Sequence, residues 1–162
     1  MATGLRTTTA YLASSVTNMK IELLSKKDAP CVAKIEQECF STPFKESDIL
    51  EYLDNPIWHF FVAKEEESVL GYISFIKILD EIQIVNVATS QEYRKIGVGK
   101  ALISALLDFA KENEATKLFL EVRESNIAAI SLYRGFGFYE VGISKNHYKE
   151  PTENAILMNL EL

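Results

Sequence analysis

Arg94-Lys95-Ile96-Gly97-Val98-Gly99-Lys100 follows a β-type run ending Val85-Asn86-Val87-Ala88-Thr89 and opens a helical run in which Ala101, Leu102, Ala105, Leu106 and Phe109 keep 3.6-residue spacing. Gly97 and Gly99 let backbone N–H groups approach a ligand closely, and the start of the following helix carries about half a positive charge. Such a turn can cradle an anion, or it can simply reverse the chain. Two familiar phosphate loops are excluded. A Walker loop needs a glycine at position 94, which is Arg94, and Ser or Thr at position 101, which is Ala101. A dinucleotide fingerprint needs a third glycine at position 102, which is Leu102.

Outward from this turn the chain alternates short β-type and longer helical segments. On the N-terminal side, Ile21 to Leu24 reads as a strand, and Asp28 as the N-cap of a helix presenting Cys31, Val32, Ile35 and Cys39 on one face. A short helix with Ile49, Leu50 and Leu53 as its buried stripe comes next. Trp58 to Ala63, Val69 to Ile78 and Ile82 to Ala88 then read as an antiparallel meander. On the C-terminal side follow strand Leu118 to Val122, helix Ile127 to Tyr133, strand Phe138 to Gly142 and strand Ala155 to Leu160. The order predicts an α/β domain with a mixed sheet, meander first and strand-helix-strand crossovers after.

The totals agree with a single domain. A chain of 162 residues with 48% hydrophobic content can bury a two-layer core. Its formal net charge of -6 argues against a nucleic-acid backbone as partner and suits a cationic substrate such as an amine. No apolar run approaches the ~20 residues of a membrane span. Cys31 and Cys39, eight apart in a helix, stand about 12 Å apart along its axis, too far for a disulfide. With only His59 and His147 besides, and no CxxC pair, a metal-free site in a reducing compartment is expected. Residues 1–18, rich in Ser and Thr with one charge at Arg6, read as a leader outside the fold, leaving 19–162 as the domain.

The second half carries a denser signature: Leu120-Glu121-Val122-Arg123, Asn126, Ala129, Leu132-Tyr133 and Gly137-Phe138. Asn126 and Tyr133 are seven residues apart, about two helical turns, so one cleft can receive both. Strand alternation turns Leu118, Leu120 and Val122 one way and leaves Glu121 with Phe119. A carboxylate among apolar positions has a raised pKa, which suits a general base. On its own, Glu121 reads first as a strand-end glutamate reaching solvent, and Tyr133 as an amphipathic core residue.

Taken together, the stretch from Ile84 to Phe138 resembles the GNAT acetyltransferases, and in detail the RimI-type ribosomal-protein alanine N-acetyltransferases. The likeness extends over Met19 to Leu162, including Ile35-Glu36, Phe40 and Pro43 early and Asn154-Ala155-Ile156-Leu157-Met158 late. It implies a mixed, mostly antiparallel sheet of about six to seven strands with about four helices. It also implies that acetyl-CoA is the cosubstrate, with Arg94, Lys95, Ile96, Gly97, Val98, Gly99 and Lys100 around its pyrophosphate. The backbone of Val87, Ala88 and Thr89 would line pantetheine, a backbone N–H near Val87 would polarise the thioester, and Asn126 would contact CoA. Glu121 is then the general base and Tyr133 the general acid. Phe44, where many members have tryptophan, and His147-Tyr148, in place of a frequent Tyr-Tyr pair, fall on the peptide-binding side and bear on the acceptor sequence.

The expected function is therefore acetylation of a protein N-terminus, that of a small-subunit ribosomal protein beginning with alanine, by a cytoplasmic monomer or weak dimer. An α-amine of pKa about 7.8 is roughly a tenth neutral at pH 7, whereas a lysine of pKa about 10.4 is neutral in well under a thousandth of molecules. The alternatives are a GNAT enzyme acting on a small amine or a protein lysine, and a CoA-binding module without turnover.

Overall fold

The computed structural model describes residues 9–10 and 18–162, so most of the expected leader lies outside the described residues. Thr9–Ala10 form a two-residue strand (β1) beside β2 (Met19–Leu23). Helix α1 (Ala29–Cys39) and α2 (Glu46–Leu53) follow, then the meander β3 (Trp58–Glu65), β4 (Ser68–Ile78) and β5 (Glu81–Thr89). Helix α3 (Val98–Glu112), β6 (Lys117–Arg123), α4 (Ile127–Gly135), β7 (Tyr139–Lys149) and β8 (Thr152–Glu161) complete the chain. The eight strands lie in the order β1-β2-β3-β4-β5-β6-β8-β7, and β5 and β6 are the parallel pair. The mixed α/β sheet and the crossover through α3 follow the sequence pattern. The second crossover does not end beside its starting strand, because β8 inserts between β6 and β7 and pairs antiparallel with both.

Two apolar layers cover the sheet. On one face, Leu102, Ile103 and Leu106 of α3 and Ile130 and Tyr133 of α4 pack over Ile73, Phe75, Ile82, Ile84, Leu118, Leu120 and Val122. On the other, Val32 and Ile35 of α1 and Ile49 of α2 pack over Phe60, Val62, Tyr72 and Ala88. Two local expectations are corrected. Cys31 is exposed, and the buried stripe of α1 is Val32, Ile35 and Glu36. Asp28 occupies the N-cap position without capping α1: its carboxylate accepts from Ser25 Oγ at 2.9 Å and pairs with buried Lys64 at 2.9 Å. Burial raises the Asp28 carboxyl, but the hydrogen bonds from Lys64 and Ser25 and the Lys64 charge outweigh it and hold Asp28 below its ordinary value.

Gly71 on β4 fixes how closely β5 and α3 approach. A Cβ there would meet the Ala88 carbonyl at 2.6 Å and Val98 Cγ1 at 2.8 Å, both closer than contact allows. Gly71→Ala should therefore cost about 1–3 kcal/mol of stability, read as a lowered denaturation midpoint. An unchanged midpoint would show that the end of β5 is free to shift.

Candidate active site

The sheet splits where the candidate residues cluster. β5 and β6 pair from Glu81–Lys117 only as far as Ile84–Leu120, while β6 stays paired with β8 through Arg123. Val85 is the extra residue of a β-bulge against β4, since Ser74 pairs with Asn86 but Phe75 with Ile84. Beyond it the edges of Val85 to Thr89 and of Glu121 to Arg123 face a gap. The Ser90 N–H donates to Leu70 O across β4 at 2.9 Å, so by antiparallel alternation the N–H groups of Ala88 and Asn86 also point at β4. Those of Val87 and Thr89 point into the gap. The polar backbone groups of Ala88 are turned to β4 and its side chain is buried under α1.

At the end of β5 the chain runs into the glycine turn. Lys95 and Gly97 have positive φ, 64° and 89°, and Gly97 is the left-handed N-cap of α3, a conformation costly for any side chain. The first helical bond runs from the Ala101 N–H to Gly97 O at 3.0 Å, so the N–H groups of Val98, Gly99 and Lys100 belong to the first turn, which has no intrahelical acceptors. Val98 is buried, Lys95 and Lys100 are exposed, and Ile96 packs on the core. Gly99 lies against α4, where an added Cβ would meet Leu132 at 3.2 Å. The Arg94 guanidinium lies 3.6 Å from Cys39 Sγ on α1.

Glu121 lies on the α1 side of the sheet, opposite Leu120 and Val122, as alternation predicts. Its surroundings are polar rather than apolar, which corrects the premise of an apolar pocket: two-fifths of its side chain is exposed and its carboxylate meets His147 Nε2 at 2.7 Å. His147 Nδ1 lies 3.3 Å from Ser144 Oγ. Two residues on, Arg123 stacks over the Tyr148 ring at 4.2 Å and reaches Ser41 Oγ at 3.3 Å, bringing the α1–α2 loop over this end of β6. Burial and the nearby Glu121 charge push the Tyr148 phenol up.

Tyr133 comes from the opposite face, on α4, packed against Phe138 with ring centroids 5.7 Å apart. Burial, then the neighbouring Tyr148, raises its phenol well above the ordinary value, so it stays protonated. Glu121 and Tyr133 thus rise from elements on opposite sides of the sheet, and the route between them is the gap beyond Ile84–Leu120. Asn126 caps α4 rather than sharing a helical face with Tyr133, its Oδ1 accepting from the Ala129 N–H at 3.1 Å. Among the described residues no group of three or more His, Cys, Asp or Glu side chains could hold a metal ion.

Residues 29–138, more than half of the chain, match the family described as Acetyltransferase (GNAT) family. The chain belongs to the GNAT acetyltransferases. It is 32% identical to the [ribosomal protein bS18]-alanine N-acetyltransferase of Escherichia coli (strain K12), over 88% of this chain and 97% of the other. The crystal structure of the ribosomal-protein-S18-alanine N-acetyltransferase from Escherichia coli superposes with a TM-score of 0.81 at 31% identity, covering 88% of this chain and 93% of that one. The crystal structure of Ard1 from Thermoplasma volcanium gives 0.81 at 30% identity, over 89% and 97%. The acyltransferase class and the mixed sheet expected from the sequence are therefore those of the chain.

Within this GNAT fold two polar residues near the gap make contacts that spacing does not report. The contact of His147 with Glu121 depends on β7 folding back across β8. Glu36 enters the sequence reading only as part of the Ile35-Glu36 pattern. It is fully buried on α1, accepting the Phe44 N–H at 2.9 Å on one oxygen and Asn86 Nδ2 at 2.8 Å on the other. Burial pushes its carboxyl up from 4.5 to about 6, against the lowering effect of those two bonds. The folded pKa exceeds the unfolded one, so Glu36 contributes its full stability below about pH 4.5 and loses it as pH rises through about 6. At neutral pH the fold holds this ionised group at a cost of about 2 kcal/mol.

Proposed function

We propose that the chain acetylates the α-amino group of a protein N-terminus, the alanine of a small-subunit ribosomal protein, with acetyl-CoA as donor. The observation that carries this reading is the split between β5 and β6, with free backbone amides on one edge and a carboxylate on the other, in a chain 32% identical to an alanine N-acetyltransferase over 88% of its length. Acetyl-CoA fits what lies there. Its pantetheine arm carries amides that can bond, as an added strand would, the outward N–H and C=O groups of Val87 and the N–H of Thr89, whose carbonyl accepts from the Cys39 thiol at 3.5 Å. Its pyrophosphate suits the first turn of α3 at Val98, Gly99 and Lys100, with Lys95 and Lys100 supplying positive charge. The Val87 N–H is then placed to polarise the thioester carbonyl.

The acceptor approaches from the α1 side, between the α1–α2 loop and His147-Tyr148. Glu121, oriented by His147, takes a proton from the incoming ammonium, directly or through one water. The amine displaces the thiolate without a covalent enzyme intermediate, and Tyr133 supplies the proton that the departing thiolate takes up. Cys39 has no place in this sequence of events: its thiol is pushed up by burial, the wrong direction for a nucleophile. Among the described residues no helix is long and apolar enough to cross a membrane. A ribosomal acceptor places the enzyme in the cytoplasm.

The test is a panel of short peptides incubated with acetyl-CoA and read by mass spectrometry. Acetylation at a free N-terminal alanine, with internal lysines and polyamines left unmodified, is the expected result. Acetylation of lysine or polyamine alone would move the chain to the small-amine or lysine-modifying reading.

A further inference from the structure

The α1–α2 loop, residues 40–45, is tied down at points that bear on the acceptor side of the gap. Arg123 Nη2 meets Ser41 Oγ at 3.3 Å, two residues beyond Glu121 on the same face of β6. The Phe44 ring stands edge-on to Tyr52 and Trp58, with centroids 5.4 and 6.2 Å away, and those two rings stack on each other at 4.2 Å. The Phe44 backbone is held by a buried carboxylate, Glu36 Oε2, at 2.9 Å. The other oxygen of that carboxylate accepts from Asn86, the residue before Val87 on the strand that borders the gap.

A buried carboxylate between two N–H donors costs stability at neutral pH, and apolar packing under α1 would not require it. What it does is join two elements that no backbone ladder connects: the loop beside Glu121 and the edge of β5. We propose that Glu36 is a positioning residue for the acceptor, fixing the 40–45 loop against Asn86 so that the incoming N-terminus meets a preset wall opposite Glu121. This rests on the N-terminal acetyltransferase reading above. The donor-lining strand is held by its own ladder with β4, and Glu36, which touches neither substrate, ties the acceptor wall to it.

The chemistry of the bridge defines its test. Glu36→Ala removes both acceptors and should raise KM for an alanine-initial peptide by about tenfold or more, because small displacements of a positioning element cost that much. KM for acetyl-CoA should stay within about twofold of wild type. Glu36→Gln should restore the peptide KM: its Oε1 accepts the Phe44 N–H, and its amide donates to Asn86 Oδ1 once that amide turns over. A second pair reaches the same decision if the alanine variant does not fold. Asn86→Asp sets two carboxylates face to face and should raise the peptide KM at pH 8, and adding Glu36→Gln should bring it back. If wild type acetylates the peptide but these KM values do not move, or if both substrates' KM values rise together without rescue by Gln, the positioning role is wrong. If wild type does not acetylate the peptide at all, the functional reading fails instead.

Discussion

Glu121→Gln should lower kcat for an alanine-initial peptide by about two to four orders of magnitude at pH 7, the usual worth of a positioned general base. The amide keeps the size of the side chain and can still hydrogen-bond the His147 ring, now 2.7 Å from the carboxylate, but it cannot take a proton. Most of an α-amine is ammonium at pH 7, with pKa about 7.8, so an enzyme without a base waits for the minor neutral form. The defect should therefore shrink as pH rises through about 8, where the amine deprotonates unaided. Binding of acetyl-CoA should be unaffected, since Glu121 lies on the acceptor side. A loss below about threefold with normal pH dependence would remove Glu121 from the base role. If His147→Ala then abolished turnover while Glu121→Gln did not, the imidazole would take that role.

What could be read from the residues, and what could not, divides along the range of the interaction. The turn at Gly97 and Gly99, the α3 stripe and the facing of Glu121 against Leu120 and Val122 are local properties of spacing, and each appears where spacing puts it. The insertion of β8 between β6 and β7 is set by which edge the last strand finds, and no period reports that. The environment of Glu121 failed for the same reason: alternation gives the face but not the cover, and the cover is His147, brought over by the β7–β8 hairpin. Helix periodicity puts Cys31 on the buried stripe because cysteine counts as apolar, whereas Cys31 is exposed and the stripe includes Glu36, whose burial is sustained by the Phe44 N–H and Asn86. The bulge at Val85, which sets which of Val87, Ala88 and Thr89 turn their backbone groups to the gap, leaves no mark in the sequence.

Tyr133→Phe should slow turnover by about two orders of magnitude while leaving acetyl-CoA affinity within about twofold, because only the proton donor is lost. The ring itself is structural: it is 6% exposed and packs against Phe138, and phenylalanine preserves that contact. The phenol is raised by burial and by Tyr148, so the proton stays on Tyr133 throughout the range in which the enzyme can be assayed. The defect of Tyr133→Phe should accordingly be flat between about pH 6 and 9, whereas that of Glu121→Gln closes with rising pH. A raised phenol is a weaker acid than usual, and it transfers its proton usefully only to a group raised by the same surroundings. A thiolate expelled into the gap beneath α4, shielded from water by the same apolar layer, meets that condition. Since Tyr133 and Glu121 come from opposite sides of the sheet, the two pH signatures also test the gap: both can serve one reaction only if the thioester lies between the ends of β5 and β6. Unchanged turnover in Tyr133→Phe would return Tyr133 to the core and leave the thiolate to depart unassisted, which its ordinary pKa of about 8.5 permits.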